Sequence, residues 1–148
     1  MRKVTNITSI VMILGYIAFL AIGWKTFPNE VPTHFSAIGV ADSYGDKTSL
    51  FLEPAVMIGL FLLLAIAEHF PKIWNIPIEV IEDNEEEVLK TGYIMFGILK
   101  ISIVLICAFS GFMCIYEDFP SWPMIMMIVI ILFTIAISVF RIYKCKLD

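Results

Sequence analysis

The polar side chains best suited to chemistry lie in one short segment, residues 28–47, between two hydrophobic runs. Within fourteen positions this segment holds His34, Asp42 and Lys47, which together could orient a ligand through hydrogen bonds and charge. Two prolines discourage a regular helix and two glycines allow tight reversals. We therefore expect an ordered, turn-rich loop with Gly39 and Gly45 at turns.

The same segment also carries apolar residues that can fold it against its surroundings. Phe35 and Tyr44 are expected to pack on the nearby ends of the flanking helices. Two roles for the polar residues stay open at this point. His34, Asp42 and Lys47 either recognise a ligand or only hydrogen-bond the loop onto itself.

Motifs for metal binding or covalent catalysis are absent from the sequence. His34 with Asp42 and Asp46 lacks ligand spacing of the HxxxH or HExxH type, so no metal site is predicted. No GxSxG elbow, Walker-type loop or Cys–His pairing occurs either. The sequence therefore predicts no cofactor and no catalytic residue, and it favours a protein that is not an enzyme.

The composition indicates an integral membrane protein. Of 148 residues, 59% are hydrophobic and 16% are charged, and the mean hydropathy is +0.89. A soluble domain contains about 45–50% apolar and about 25% charged residues. No basic tract of nucleic-acid type is present, so nucleic acid is not an expected partner, whereas the lipid bilayer is. Three cysteines are too few and too badly placed for a disulfide framework.

Four segments are long enough to cross a bilayer core, which needs roughly 20 apolar residues in a helix. The predicted fold is an all-α, polytopic four-helix bundle, formed by a single domain over residues 1–148. An ordered extracytoplasmic loop joins the first two spans, and an acidic cytoplasmic loop joins the second to the third. The spans are residues 7–24, 50–70, 91–116 and 122–143, and the two loops are residues 25–49 and 71–90.

The basic residues predict the orientation, because cytoplasmic loops are enriched in Lys and Arg. One side receives only Lys25 and Lys47. The other side receives seven basic residues, namely Arg2, Lys3, Lys72, Lys90, Arg141, Lys144 and Lys146. Both termini are therefore predicted to be cytoplasmic and the loop of residues 28–47 to face outward.

The acidic run at residues 82–87 has a structural interpretation and a functional one. Asn84 can cap a helix, Glu87 follows three positions later, and early carboxylates suit the positive end of a helix dipole. We interpret the run as a solvated helix start leading into the third span. A contact with an ion or a basic partner is the alternative.

A lysine inside the third span is the second group of possible chemical interest. Lys100 lies about 13 Å along that span, where an ammonium usually faces other helices or reaches outward. Glu68 is its nearest predicted partner by depth. A structural pair and a role in ligand or proton handling both remain open. Lys100 shares its helical face with mostly small residues that permit close helix packing, namely Gly97, Val104, Cys107, Gly111 and Cys114.

The loop also resembles a known signature. Its pattern is Pro28-x-x-Val31-Pro32-Thr33-His34-Phe35, then Gly39-x-x-Asp42-x-Tyr44-Gly45-x-Lys47, with Pro54 downstream. This pattern resembles that of a widespread family of small bacterial membrane proteins of unknown function. The same module is found at the N-terminus of SdpI-type immunity proteins. The resemblance implies a multi-pass protein of the bacterial cytoplasmic membrane and a link to protection against a secreted toxic peptide.

The predicted function is recognition of a peptide, lipid or envelope component by the outer loop, with immunity or sensing as its purpose. One alternative is a small membrane enzyme or transporter that uses His34 and Asp42, or Lys100 and Glu68. Another is an accessory subunit of a larger membrane complex, or a homo-oligomer. The residues assigned to ligand binding are Pro32, Thr33, His34, Phe35, Gly39, Asp42, Tyr44 and Lys47.

The predicted topology can be tested by labelling. In a chain whose Cys145 is replaced by Ser, a cysteine introduced by Ser43→Cys should react with a membrane-impermeant thiol reagent in intact cells, because the loop is predicted to face outward. Labelling that appears only after the membrane is permeabilised would reverse the orientation.

Overall fold

A computed structural model of the chain describes residues 2–36, 39–116 and 120–145. Within these residues, four helices are long and apolar enough to cross a membrane, which confirms the predicted all-α, four-span fold. They are α1 (Arg2–Gly23), α2 (Leu52–His69), α3 (Glu85–Ile115) and α4 (Trp122–Lys144). Lys146 and most of the predicted connection between the last two spans, residues 117–119, lie outside the described residues.

The helices differ from the predicted spans chiefly at their first residues. Helix α1 begins at Arg2, and α3 begins at Glu85, six residues before the predicted third span. Hydropathy marks the part of a helix that fits the hydrocarbon core, whereas backbone hydrogen bonding continues into the polar turns. At 31 residues, α3 is about 46 Å long and exceeds a core of about 30 Å.

Asn84 precedes α3 but does not cap it with its side chain. Its Oδ1 accepts a hydrogen bond from the backbone N–H of Ile81, and its Nδ2 donates to the Glu79 carbonyl. The predicted capping bond is therefore wrong, although the predicted helix start is right. Asn side chains often form hydrogen bonds to nearby backbone groups, and such bonds compete with helix capping. Here the side chain bonds to residues that precede it in the chain.

A β-hairpin replaces the irregular loop that was expected between the first two spans. Strand β1 (Glu30–Phe35) pairs antiparallel with β2 (Ala41–Asp46), and a short 3-10 helix (Lys47–Phe51) leads into α2. Gly39 has φ +80° in the connection between the strands, as its predicted turn requires. Gly45 lies within β2, so its predicted turn is wrong.

The hairpin is anchored to the end of the bundle by fully buried side chains. Val31 of β1 and Leu50 of the 3-10 helix have no exposed surface and join the same core as Leu20. Phe35 packs against this core, as predicted. Tyr44 is 51% exposed, so its predicted packing is wrong.

Helix α3 is the centre of the bundle and contacts each of the other three helices. Its small residues allow α1 to approach closely. A Cβ atom added at Gly97 would lie 2.9 Å from the Thr5 methyl group, and one at Gly111 would overlap the Tyr16 hydroxyl. The small-residue face predicted around Lys100 is therefore a helix-packing surface.

Helix α4 lies at the edge of the bundle. Only Ser138 and Ile142 are buried along its length, and large apolar side chains such as Phe133 and Phe140 are mostly exposed. Such a surface suits contact with lipid.

Close packing at Gly111 predicts a measurable contrast between two glycines. Gly111→Ala should lower the melting temperature of the purified protein, because an overpacked helix contact costs roughly 1–3 kcal/mol. Gly59→Ala is the matched control, since nothing lies within 4 Å of a Cβ at that position. Equal effects of the two substitutions would contradict the packing of α1 on α3.

Candidate functional site

Irregular pairing shapes the hairpin where its polar residues lie. The register shifts between Pro32 and His34 and again between His34 and Phe35, so Thr33 and Asp42 have no partner in the strand register. Extra residues of this kind bend a strand and redirect its side chains. The irregularity is thus the local feature that can bring the side chains of His34 and Asp42 together.

His34 and Asp42 form a close exposed pair. The Nδ1 atom of His34 lies 2.5 Å from Oδ1 of Asp42, and the two side chains are 69% and 47% exposed. An ionised carboxylate only accepts hydrogen bonds, so Nδ1–H donates to it. In the neutral ring, Nε2 is then left as an acceptor, and in the charged ring it is a second donor.

A second contact lies beside this pair. Thr33 Oγ1 donates to Ser43 Oγ across the strands at 3.4 Å, and both residues are exposed. We call the four exposed residues Thr33, His34, Asp42 and Ser43 the hairpin patch. The patch offers hydroxyl, imidazole and carboxylate groups on a backbone that is fixed by strand pairing.

Of the other residues that were predicted to bind a ligand, some are packed in the interior and some are exposed. Pro32 is buried and pairs with Tyr44 in the strand register. Gly39 lies in the turn, where an added Cβ would be 2.5 Å from the Ser121 side chain. Tyr44 is exposed and Phe35 is partly buried.

Lys47 contacts Trp24, the residue that follows the end of α1. Its Nζ donates to the Trp24 carbonyl at 3.4 Å and lies 5.1 Å from the centre of the Trp24 ring. The Trp24 ring in turn stacks on Phe51 with 4.8 Å between ring centres. Sequence reasoning grouped Lys47 with His34 and Asp42, whereas in the structure its side chain joins the start of the 3-10 helix to Trp24, just after α1.

An apolar groove of about 320 Å³ lies beside Lys47 at the hairpin end of the bundle. It runs between α1 and the start of α2. Its lining residues are Ile17, Leu20, Ala21, Trp24, Phe51 and Pro54. A polar patch and an apolar groove therefore occur at the same end of the molecule.

Asp46 has a structural role at the end of the hairpin. Its Oδ1 accepts the backbone N–H of Thr48 at 2.8 Å and so caps the 3-10 helix. This backbone hydrogen bond lowers the pKa of the Asp46 carboxyl below its usual value. Asp46 thus remains ionised where it terminates the strand.

Inside the membrane-spanning region, Lys100 of α3 binds Glu68 of α2. Their Nζ and Oε2 atoms are 2.8 Å apart, and the two side chains are 0% and 1% exposed. Lys100 also donates to Asn6 Oδ1 of α1. Arg2 Nε lies 4.0 Å from the same Glu68 oxygen. One polar cluster therefore joins three helices.

Several buried oxygens have no hydrogen-bond partner within the described part of the chain. They include Glu68 Oε1 and Ser9 Oγ near the ion pair, and Tyr16 OH and Glu53 Oε2 towards the hairpin end. Buried polar atoms are normally hydrogen-bonded to protein or water. Hydrogen bonds to buried water would satisfy these oxygens.

Sequence reasoning missed Asn6, Arg2 and Glu53 as members of these polar groups. A signal existed for Asn6, because it starts a stripe that continues at three- and four-residue steps through Ser9, Ile13, Tyr16 and Leu20. The last four of these residues are buried. A polar residue at the beginning of a buried stripe is expected to meet a polar partner.

The described residues contain no group of three or more His, Cys, Asp or Glu side chains that could hold a metal ion. Cys107, Cys114 and Cys145 are free thiols. The arrangement can therefore orient a ligand by hydrogen bonds through the imidazole, carboxylate and hydroxyl groups of the hairpin patch.

The fold and site define a class, which is a four-span helical membrane protein with a β-hairpin closing one end of its bundle. Residues 11–58 match the family model of DUF1648, a domain of unknown function. This stretch runs from the middle of α1 through the hairpin into α2. No curated protein and no solved structure matches the chain.

The ion pair predicts non-additive effects on stability. Lys100→Met should destabilise the purified protein by roughly 3 kcal/mol, because it leaves a buried carboxylate without its partner. The double change Lys100→Met with Glu68→Gln should cost less, since no unpaired charge remains. Thermal unfolding in detergent measures both, and additive losses would argue that the pair is not coupled.

Proposed function

We propose that the chain is a bacterial membrane protein whose hairpin patch recognises a peptide or envelope component outside the cytoplasm. The observation that carries this proposal is the exposed His34–Asp42 pair, held at 2.5 Å on a bulged hairpin. Exposed polar side chains that are ordered by a rigid scaffold are typical of binding sites.

Anchoring of the hairpin supports recognition over a purely local role. Val31 and Leu50 are fully buried in the bundle core, so the backbone beneath the patch is fixed before a ligand arrives. Binding then requires little additional ordering of the protein, which favours affinity. A hairpin whose polar residues only stabilised each other would not need to present them to solvent.

The apolar groove beside Lys47 favours an amphipathic ligand. Trp24 and Phe51 form part of its wall, and the Lys47 ammonium lies against Trp24. A membrane-active peptide could place apolar side chains in this groove and polar groups on the hairpin patch. This ligand chemistry agrees with the immunity role implied by the resemblance to SdpI-type proteins.

Orientation follows from the basic residues. The hairpin end of the bundle carries Lys25 and Lys47, and the opposite end carries Arg2, Lys3, Lys72, Lys90, Arg141 and Lys144. Under the positive-inside rule this distribution supports the proposed orientation, with the hairpin outside the bacterial cytoplasmic membrane and both termini in the cytoplasm.

Ion or proton handling is a second candidate function. The observation that favours it is the fully buried Lys100–Glu68 pair, whose second carboxylate oxygen has no partner within the described residues. Ionisable groups at membrane depth often lie on transport pathways. Loss of function in Lys100→Met with Glu68→Gln, at unchanged stability, would favour this candidate over recognition.

The recognition proposal is tested by a protection assay. The chain and its His34→Ala and Asp42→Ala variants are expressed in a host sensitive to a secreted toxic peptide. Both variants should insert and melt like the parent, because both side chains are exposed, and both should lose protection. Survival across a peptide dilution series measures the effect.

Matched control variants distinguish the loss of the hairpin patch from the general effect of removing a charged or titratable side chain. His69→Ala and Asp83→Ala remove the same side-chain types from exposed positions at the opposite end of the bundle. These controls should keep full protection. Full protection by both patch variants would refute recognition through this pair, and no protection by the parent would refute the immunity role.

A further inference from the structure

A cleft opens at the end of the bundle opposite the hairpin, between the first residues of α1 and the first turns of α3. Its volume is about 640 Å³. Its lining residues are Arg2, Lys3, Glu86, Leu89, Lys90, Tyr93 and Ile94. The lining residues that belong to α3 are spaced three or four positions apart, so they lie on one face of the helix and form one wall of the cleft.

The rim of the cleft is predominantly cationic. Arg2, Lys3 and Lys90 contribute positive charges, whereas Glu86 contributes a negative one. Arg2 is positioned by two contacts, with its guanidinium carbon 5.9 Å from the centre of the Tyr93 ring and its Nε 4.0 Å from Glu68. Lys3 and Lys90 are exposed. The pairing of Lys90 with Glu87 is loose, at 3.9 Å between exposed groups, so it competes weakly with a ligand.

The inner wall of the cleft is apolar and continues along the lipid-facing surface. Leu89, Tyr93 and Ile94 form this wall. One turn further along α3, Ile98 is 38% exposed, and one turn beyond Lys3 on α1, Ile7 is 61% exposed. A cationic rim above a continuous apolar track matches a molecule with an anionic head and hydrocarbon chains. A free inorganic anion would use only the rim.

We propose that this cleft binds an anionic phospholipid, with phosphatidylglycerol as the representative headgroup. Lys3 and Lys90 contact the phosphate, and the acyl chains lie along Ile94 and Ile98. Basic pockets between transmembrane helices are suited to anionic headgroups, because charge and apolar surface are matched at the same depth. Helices α1 and α3 both border the cleft, so the bound lipid would join the start of the chain to the central helix.

The proposal is tested on the full chain, purified in detergent, by native mass spectrometry during titration with phosphatidylglycerol or phosphatidylcholine. The test variant is Lys3→Gln with Lys90→Gln. Arg2 is left intact because of its contact with Glu68. The matched control is Arg141→Gln with Lys144→Gln, which removes two exposed charges from the same end of the bundle, outside the cleft.

We expect the parent to retain phosphatidylglycerol in preference to phosphatidylcholine. The cleft variant should bind phosphatidylglycerol about tenfold or more weakly, given the usual contribution of each basic residue near a lipid surface. The control variant should bind like the parent. Soluble glycerophosphoglycerol and inorganic phosphate should fail to displace the lipid, because neither occupies the apolar track.

Three results would overturn the proposal. If the cleft and control variants bind phosphatidylglycerol equally weakly, the lipid is held by general electrostatic attraction to the basic surface and not by the cleft. Displacement by inorganic phosphate or by glycerophosphoglycerol would show a site for the anion alone. Equal binding of both lipids by the parent would remove the headgroup preference.

Melting in lipid-free detergent separates binding from folding. The cleft variant should melt like the parent there and should gain less stability from added phosphatidylglycerol. If it melts lower without lipid, the single change Lys3→Glu at an exposed position replaces it, with Lys144→Glu as control. Parent-like binding by Lys3→Glu would then contradict the proposal.

Discussion

The buried Lys100–Glu68 pair constrains the rest of the structure. Unpaired charges inside a bilayer are expensive, so this ammonium and carboxylate must meet wherever the helices settle. Their 2.8 Å contact sets the depth of α3 relative to α2, and the hydrogen bond to Asn6 adds α1 to the same register. The small residues of α3 then permit the close approach that this register requires.

The position of the hairpin depends in turn on this alignment of the helices. It joins the end of α1 to the beginning of α2. The relative position of these two helices therefore sets the distance that the hairpin must bridge. Val31 and Leu50 bury the side of the segment that faces the bundle, and the bulged strands present His34 and Asp42 on the exposed side. The stretch that matches DUF1648 contains the hairpin patch but none of Asn6, Glu68 and Lys100.

Sequence reasoning succeeded where a single physical rule dominates and failed where rules compete. Long apolar runs gave the four spans, because a bilayer demands helices there. Proline and glycine in the connection fit a loop and a hairpin equally well, so strand pairing and the bulge beside His34 were not predictable from local signals. Asn84 had two local hydrogen-bonding options and took the one that was not predicted. Asn6 was missed because its partner is ninety-four residues away.

The distribution of buried polar groups supports the proposed recognition role over transport. Ser9 and Glu68 lie towards the ion-pair end, and Tyr16 and Glu53 lie towards the hairpin end. Ile13, Met57 and Val104, which are at most 6% exposed, belong to one apolar core cluster. An ion that passed beside these side chains would lose its hydration at high cost. The ion pair is therefore better suited to holding helices together than to conduction, and the hairpin patch is the polar surface that a ligand can reach without opening the core.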